Sequence, residues 1–539
     1  MKNSLRVVLA QLNFLVGDID GNLEKHIKAA EIARDKHHAD VIIFPELSLT
    51  GYPPEDLLLR KNFIQTAEAA RQKLIREVKN IYCLIGHPHA KEHGLFNTCS
   101  LIHNGRVLQH YAKQCLPNYG VFDEGRYFNA GDDVQVSLIH HIPTSIVICE
   151  DIWRLNPARQ AAAKGARLML IPNASPFEMD KHEQRFSVLT KRATHDHLSL
   201  VYVNNVGGQD ELVFDGGSMV VDHTGQMTHC AGFFQECLLP VDIDLHTIQA
   251  KNAIATAIPT REERAYQALV LGLRDYVEKN HFSGVLLGLS GGIDSALTLA
   301  IAVDALGKDR VHAVIMPSRY TTDMSIEDAE LMIETLQVTA DNISIEPVYQ
   351  SMLTSLAPIF ADKKVDVTEE NIQARCRAII LMALSNKLGK LLLTTGNRSE
   401  LAVGYCTLYG DMAGGFAVLK DVPKTLVYQL AHYRNQIQAI IPTRIIERPP
   451  TAELAPNQKD EDSLPPYILL DRILEEYLNH GKSIDEIAMQ GIDRELVNRI
   501  IDLIHKNEYK RRQAAIGPHL NHKSFGRDWR YPLSNSFKG

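Results

Sequence analysis

Short apolar runs of strand length alternate with longer mixed segments along residues 5–245. The runs at 6–11 and 39–44 (ADVIIF) read as buried strands, the second stopped by Pro45. Residues 22–37 carry Ala29, Ala30, Ile32 and Ala33 at helical spacing, and 62–78 forms a second helix. Further strands are predicted at 82–86, 96–102, 105–111, 145–149, 168–172 and 198–203, with hairpin turns at Asn104 and Gly105 and at Thr224 and Gly225. Several strands end in polar or reactive residues, which is where α/β folds carry ligands. Residues 246–265 show neither strong alternation nor a large core stripe and read as a connector, partly helical, between domains 1–245 and 266–539.

From residue 266 the pattern becomes a series of βα units. It predicts a helix to 279, a strand at 284–289, a helix at 295–306, a strand at 311–316, a helix at 326–336, a strand at 342–346, a helix at 370–388 and a strand at 391–395. After Pro442 the string RPPTAELAPNQKDEDSLPP is rich in proline and charge and reads as a mobile loop. Helices at 467–477, 483–488 and 494–512 follow. Two α/β domains are the expectation.

Composition narrows the function classes. The chain has 539 residues, 45% of them apolar and 23% charged, which excludes bulk disorder. Lys plus Arg is 57 and Asp plus Glu is 65, a net charge of −8 that argues against a non-specific grip on nucleic acid or anionic lipid. The basic run at 509–513 therefore reads as a solvated helix face or as phosphate contacts. Eight cysteines without a CxxC pair suit neither a zinc module nor a disulfide scaffold, and fit a reducing cytoplasm. The opening MKNSLRVVLAQLNF is too short and polar for a signal peptide or a membrane span and is expected to form a strand.

Three reactive residues follow strands in the first domain: Glu46 after VIIFP, Lys113 after GRVLQHYA, and Cys149 after SIVI. Taken singly, each has a plain structural reading: a small buried hydrophobe for the cysteine, a helix cap for the acid, a solvated side chain for the lysine. Taken together they make an amide-cleaving nucleophile. The acids Glu150 and Asp151 oppose ionisation of the thiol, so a thiolate needs a cation, supplied by Lys113, and a base, supplied by Glu46. Residue types and spacing alone leave both readings open.

In the second domain LLGLSGGIDS (286–295) runs from a strand through small residues into a helix. Gly291 and Gly292 allow close backbone approach, and the free N–H groups of the helix start can cradle phosphate oxygens. Gly288 ends the strand, Ser290 and Ser295 add hydroxyls, and Asp294 is suited to Mg2+. The string is neither GxxxxGK[ST] nor GxGxxG, which disfavours a kinase-like P-loop and a dinucleotide fingerprint. A second string, LLTTGNRSE (392–400), offers Glu400 as a further magnesium carboxylate, although a helix-start acid is an equal reading of that residue.

The strings FPELSLTGYPPEDLL, GRVLQHYAKQCLPNYGVFDEGRYF and ICEDIW resemble the nitrilase/carbon–nitrogen hydrolase superfamily in its glutamine-amidase branch, over residues 5 to about 245. That resemblance implies an α-β-β-α sandwich, a catalytic triad of Glu46, Lys113 and Cys149, and glutamine contacts from Tyr119, the further acid Glu124, Ser175 and Lys181. SGGIDS resembles the pyrophosphate loop of the N-type ATP pyrophosphatases, with a Rossmann-like parallel sheet of the adenine nucleotide alpha hydrolase type. GNRSELAVGYCTLYGDMAGGFAVLKDVPKT resembles the NAD synthetase family in its glutamine-dependent form, over 266–539.

On that second resemblance Thr395 joins Gly288, Ser290, Gly291, Gly292, Asp294 and Ser295 around ATP, and Asp294 and Glu400 hold Mg2+. Arg319, Asn371, Glu400, Asp411 and Lys510 face deamido-NAD, and Thr451 and Lys459 belong to the mobile loop. The implied enzyme is a ligase that uses ATP and Mg2+ to adenylylate the carboxylate of deamido-NAD. It then aminates that carboxylate with nitrogen from L-glutamine or ammonia. Further implications are an internal ammonia tunnel and a homo-oligomer with a core of synthetase domains, with neither nucleic acid nor membrane as partner. Two rivals stay open: a pyrophosphate-loop amidotransferase acting on another acceptor, and an inactive scaffold or nucleotide-sensing chain.

Overall fold

A computed structural model of the chain describes residues 3–254, 256–456 and 458–537. The chain divides into two compact units, Met1–Pro259 and Thr260–Gly539.

The first unit is an α-β-β-α sandwich whose layering is written in the two-residue period of its first strand. In Ser4–Gln11, Leu5, Val7 and Leu9 enter the core between two sheets, while Val8 and Ala10 pack beneath the helices Ile19–Asp35 and Lys61–Glu77. Among the described residues each sheet has six strands. In one, Cys237–Asp244 lies antiparallel to Ser4–Gln11, followed by Val41–Ile43, Tyr82–Lys91, Gly94–His103 and Arg106–Ala112. In the other, Met227–Cys230, Met219–Val221, Ser199–Val203, Leu168–Pro172, Ile142–Ile146 and Val136–Ile139 follow in order. The helices Leu155–Ala163 and Lys181–Asp196 cover its outer face. Asn104 and Gly105 take φ of 48° and 83° and turn the hairpin between Gly94–His103 and Arg106–Ala112.

Thr260 caps the helix Arg261–Lys279 by accepting from the Glu263 N–H, so the stretch 246–265 ends in helix at 261–265.

The second unit is built on five parallel strands. Their order is Thr339–Asn342, Val311–Ile315, Val285–Gly288, Leu391–Thr394 and Phe416–Ala417. In chain order this is 3-2-1-4-5, so the direction of winding reverses between Val285–Gly288 and Leu391–Thr394. A crevice opens at such a switch point, beyond the carboxyl ends of the strands. The helix Ile293–Leu306 leaves Val285–Gly288, and Arg398–Val403 leaves Leu391–Thr394, so the two signature strings end beside each other.

Two elements correct the sequence expectation. The strand expected at 342–346 lies at Thr339–Asn342, and a helix the pattern did not predict, Glu346–Phe360, follows it. Tyr349, Leu353, Leu356 and Phe360 recur along it at helical spacing and pack on the sheet core, a stripe that the sequence reading overlooked. The helices Tyr467–Leu474 and Arg494–Lys506 pack on Arg398–Val403 as a separate core.

Candidate active sites

In the first unit, three strand ends deliver Glu46, Lys113 and Cys149 to one buried corner. Glu46 and Lys113 are fully buried, and Cys149 is 7% exposed. Lys113 Nζ donates to Glu46 Oε1 at 2.7 Å and to Glu124 Oε1 at 2.8 Å. Asn97 Nδ2 donates to Glu46 Oε1 at 2.7 Å, and the Ala174 N–H reaches Glu46 Oε2 at 3.2 Å. Tyr52 OH donates to Glu124 Oε1 at 3.0 Å. A buried lysine therefore lies between two buried carboxylates, each fixed by further donors.

Cys149 sits on a sharp strand-to-helix turn at φ 46°, a backbone conformation that costs about 1–3 kcal/mol for a non-glycine residue. Asp151, fully buried, holds that turn from below. Its carboxylate accepts from the Ile148 N–H at 3.0 Å, the Cys115 N–H at 2.8 Å and Tyr111 OH at 2.7 Å. Asp151 is thus a buttress, not an electrostatic opponent of the thiol alone.

Burial and then Glu46 push the Cys149 thiol well above its usual range, while Lys113 and the Ala174 N–H pull the other way. Burial raises Glu124 to about 7 against the pull of Lys113. Burial alone would discharge Lys113, but Glu124 and Glu46 reverse this and hold it as an ammonium.

Of the four residues expected to hold glutamine, Glu124 is part of this corner, and Ser175 and Tyr119 adjoin it through Ala174 and Glu150. Ser175 is buried, and its Oγ accepts from Arg185 Nε at 3.1 Å. Tyr119 is half exposed, with its hydroxyl on Glu150 at 2.8 Å, in the short helix that follows Cys149. Lys181 pairs with Glu178 at 3.3 Å above the Trp153 ring.

In the second unit, the crevice at the switch point is an open cleft of about 290 Å³. Gly288, Ser290, Gly292, Asp294, Ser295, Thr395, Glu400, Asp411 and Thr451 line it, all expected from the sequence. Gly291 adopts φ 75°, and a Cβ there would stand 2.3 Å from the Ser325 carbonyl oxygen, so only glycine fits. Ser290 and Ser295 face each other across the loop, their Oγ atoms 3.1 Å apart, and the Gly292 N–H donates to Ser290 Oγ at 3.2 Å.

Lys424 stands between the two acids. Its Nζ donates to Asp294 Oδ2 and, at 3.1 Å, to Glu400 Oε1. Asn397 Nδ2 donates to Asp294 Oδ1 at 2.9 Å. Burial raises Glu400 to about 7, with Lys424 opposing and Asp294 reinforcing the shift, and burial raises Asp411 to about 6.

The loop after Pro442 lies across this cleft, contributing Arg448, Pro449, Pro450, Thr451, Ala452, Glu453, Leu454 and Asp460 to its wall. Glu453 Oε1 accepts from Ser325 Oγ at 2.7 Å and Thr322 Oγ1 at 3.0 Å, while Arg448 donates to Ser325 Oγ at 2.9 Å and to the Gly291 carbonyl. Five expected residues are not among those lining the cleft, Gly291 because it packs against the Ser325 carbonyl instead. Lys459 is exposed, Arg319 pairs with Glu346 at 2.7 Å, Asn371 accepts from Thr407 Oγ1 at 2.8 Å, and Lys510 donates to the carbonyls of Gly404 and Cys406 at 2.8 Å. The sequence reading missed Asn97, Tyr52, Lys424, Arg448 and Asp460. Tyr52, Lys424, Arg448 and Asp460 fell inside quoted strings, but none forms a spaced pattern with its partners.

Two family profiles match the two units: carbon–nitrogen hydrolase over residues 6–253 and NAD synthase over 265–514. The glutamine-dependent NAD(+) synthetase of Acinetobacter baylyi is 48% identical over 539 residues, covering 99% of each chain. The enzyme of the same name from Thermotoga maritima is 45% identical, again with 99% of each chain covered. The chain belongs to the glutamine-dependent NAD(+) synthetases. A solved member of this family, the Acinetobacter baumannii synthetase in complex with ADP, is 45% identical with a TM-score of 0.82 over 98% of each chain. Membership in this synthetase family accounts for both strings, a thiol corner and a phosphate-cradling crevice in one polypeptide.

Proposed function

We propose that the chain is a ligase that converts deamido-NAD to NAD, using ATP and the amide nitrogen of L-glutamine and releasing AMP, pyrophosphate and glutamate. One observation carries this reading: a buried Glu–Lys–Cys corner and an SGGIDS crevice occur in one chain that aligns end to end with synthetases of that name.

In the first unit, Cys149 Sγ attacks the glutamine amide carbon and its proton passes to Glu46. Lys113 Nζ and the Ala174 N–H face the oxyanion that forms. Glu46 returns the proton to the departing ammonia, then takes one from the water that hydrolyses the thioester. Ser175, Tyr119 and Lys181 are assigned to glutamine recognition; their location on the segments flanking Cys149 supports that role.

In the second unit, the deamido-NAD carboxylate oxygen attacks the α-phosphorus of ATP and pyrophosphate leaves; ammonia then attacks the acyl carbon and AMP leaves. The glycine loop and the start of Ile293–Leu306 receive the phosphates, with Ser290, Ser295 and Thr395 as hydroxyl donors. Arg319, Asn371, Asp411 and Lys510 are assigned to deamido-NAD, and Thr451 and Lys459 to the covering loop. A loop over the cleft protects the adenylate from water.

The donor set also suits Mg2+. Asp294 and Glu400 present two hard carboxylate oxygens to one point that already holds an ammonium group, and magnesium is commonly bound by one or two carboxylates plus phosphate oxygens. Bound there, Mg2+ would offset the charge of the triphosphate.

The chain is assigned to the cytoplasm. Its described residues include no helix long and apolar enough to cross a membrane, and its cysteines are free thiols. Self-association through the second unit fits the exposed apolar side chains of Ile359, Val367 and Ile379 on Glu346–Phe360 and Val367–Leu388.

The decisive assay supplies deamido-NAD, ATP, Mg2+ and glutamine to the purified protein and counts products. NAD, glutamate, AMP and pyrophosphate in equal amounts are expected. ADP with phosphate, or no NAD, overturns the reading.

A further inference from the structure

Lys424 is in a place where a cation needs a reason. It is the first residue of the 14-residue helix Lys424–Ile437, where the aligned peptide dipoles disfavour positive charge, and it is 2% exposed. A lysine is rarely buried so completely unless it is paired. Its backbone is fixed independently of its charge. The Lys424 N–H donates to Ser399 Oγ at 2.8 Å, and the next residue, Thr425, donates its N–H and Oγ1 to Asp471 Oδ2 at 2.9 and 2.8 Å. Ser399 Oγ also donates to Asp471, so Asp471 ties the start of this helix to Arg398–Val403, which carries Glu400. The side chain therefore leaves a rigid base.

What it reaches is the proposed metal point. Nζ donates to Asp294 Oδ2 and to Glu400 Oε1, with the Tyr467 ring 5.2 Å away. The Asp460 carboxylate, fixed by Tyr467 OH at 2.8 Å and Tyr405 OH at 3.3 Å, adds a third negative charge to the same surroundings. Three acids from different segments thus share one ammonium group, at the mouth of a loop shaped for phosphate.

We propose that Lys424 is the built-in counter-cation of the divalent-metal site: its ammonium group holds the Asp294 and Glu400 carboxylates around one point in the metal-free chain and yields that point when Mg2+ binds. This rests on the assignment of Asp294 and Glu400 as metal ligands. Two consequences follow. The chain alone binds a divalent cation weakly, because the cation must displace a paired ammonium. Nucleotide strengthens metal binding beyond its own phosphate ligands, because the triphosphate gives the displaced ammonium a new anionic partner, and the help is mutual. Lys424 is on this account a positioning residue for the metal.

The test is a titration of the full-length protein with Mn2+ alone, read by electron paramagnetic resonance of free Mn2+. Lys424→Met is expected to bind Mn2+ at least ~10-fold more tightly than the unaltered protein, since one competing unit charge at contact distance is removed. Lys424→Arg, which keeps the charge, is expected to bind weakly. Equal or weaker Mn2+ binding by Lys424→Met overturns the inference. Asp294→Asn separates the two levels of the argument. If it abolishes Mn2+ binding while Lys424→Met changes nothing, the metal assignment stands and the counter-cation falls; if it leaves binding intact, both fall. Should Lys424→Met fail to fold, acetylation of the unaltered protein, mapped by mass spectrometry, replaces it. Lys424 is expected to be protected without Mn2+ and to become reactive with it, and unchanged protection overturns the proposal.

Discussion

Cys149 combines an expensive backbone with a reluctant thiol, and both follow from where the chain puts it. The positive φ lifts the side chain out of the strand toward Glu46 and Lys113, and Asp151 stabilises the turn through backbone donors. Because burial and Glu46 push the thiol up, its ionisation depends on a base in contact. Alkylation of Cys149 by iodoacetamide is therefore expected to be slow at pH 7 and, because Glu46 pushes the thiol up, to set in at lower pH after Glu46→Gln; identical rate profiles for the two proteins would exclude electrostatic contact between Glu46 and the thiol. Glu124 allows a thermodynamic check. Its folded carboxyl titrates at about 7, above the ordinary 4.5, because burial penalises the charged form. Folding then takes up a proton, so its contribution is full below the ordinary value and is lost as pH rises through 7. Relative to Glu124→Gln, the unaltered protein is expected to lose melting temperature between pH 5 and pH 8. A constant difference across that range would refute the assignment. The meeting of Glu46, Lys113 and Cys149 was legible because each follows a strand in a recognisable string. Asn97 and Tyr52 were not legible, because a side-chain amide or phenol on a strand or turn shows no local sign that it will meet a carboxylate 51 or 72 residues away.

Among elements, the glycine loop shows how a strand, a turn and a helix make one cradle. Gly291 packs against the Ser325 carbonyl, and Ser325 Oγ also receives Arg448 and bonds Glu453. The phosphate loop and the loop across the cleft therefore share a contact residue. Gly291→Ala is expected to cost about 1–3 kcal/mol, from a strained φ and a 2.3 Å clash with rigid backbone, measured by urea unfolding. It is also expected to remove ATP-dependent synthesis while leaving glutamine hydrolysis in place; unchanged stability would mean the loop relaxes at no cost. The βα alternation was visible because buried parallel strands are continuous apolar runs. Glu346–Phe360 carries a period too, with Tyr349, Leu353, Leu356 and Phe360 at helical spacing, and was overlooked rather than unreadable. The proline-rich loop was recognised as a loop, but its ties to Ser325, Thr322 and Gln373 join segments 81 to 131 residues apart and leave no mark in composition.

At the scale of the whole molecule, two chemistries with opposite needs occupy separate units. The first needs a buried thiol beside fixed, paired charges, closed to bulk water. The second needs an open crevice rich in backbone N–H groups for a highly charged ligand. A nucleophile in one unit and a phosphate-site carboxylate in the other should therefore fail in different ways. Cys149→Ala is expected to lower glutamine-dependent NAD formation by at least ~10³-fold, since removing a nucleophile removes the acyl-enzyme route. With saturating ammonium chloride at pH 8.5 its rate should match the unaltered protein, because ammonia then bypasses the thiol. Asp294→Ala is expected to abolish NAD formation from either nitrogen source and to stop pyrophosphate release, while glutamine hydrolysis continues. The pattern separates the readings that the sequence left open. An inactive scaffold gives no NAD in any arm, and a ligase for a different acceptor gives pyrophosphate only when deamido-NAD is replaced. If Cys149→Ala also loses the ammonia-driven reaction while keeping its melting temperature, the thiol unit is required for the synthetase chemistry itself, and the division of labour argued from the two geometries is wrong.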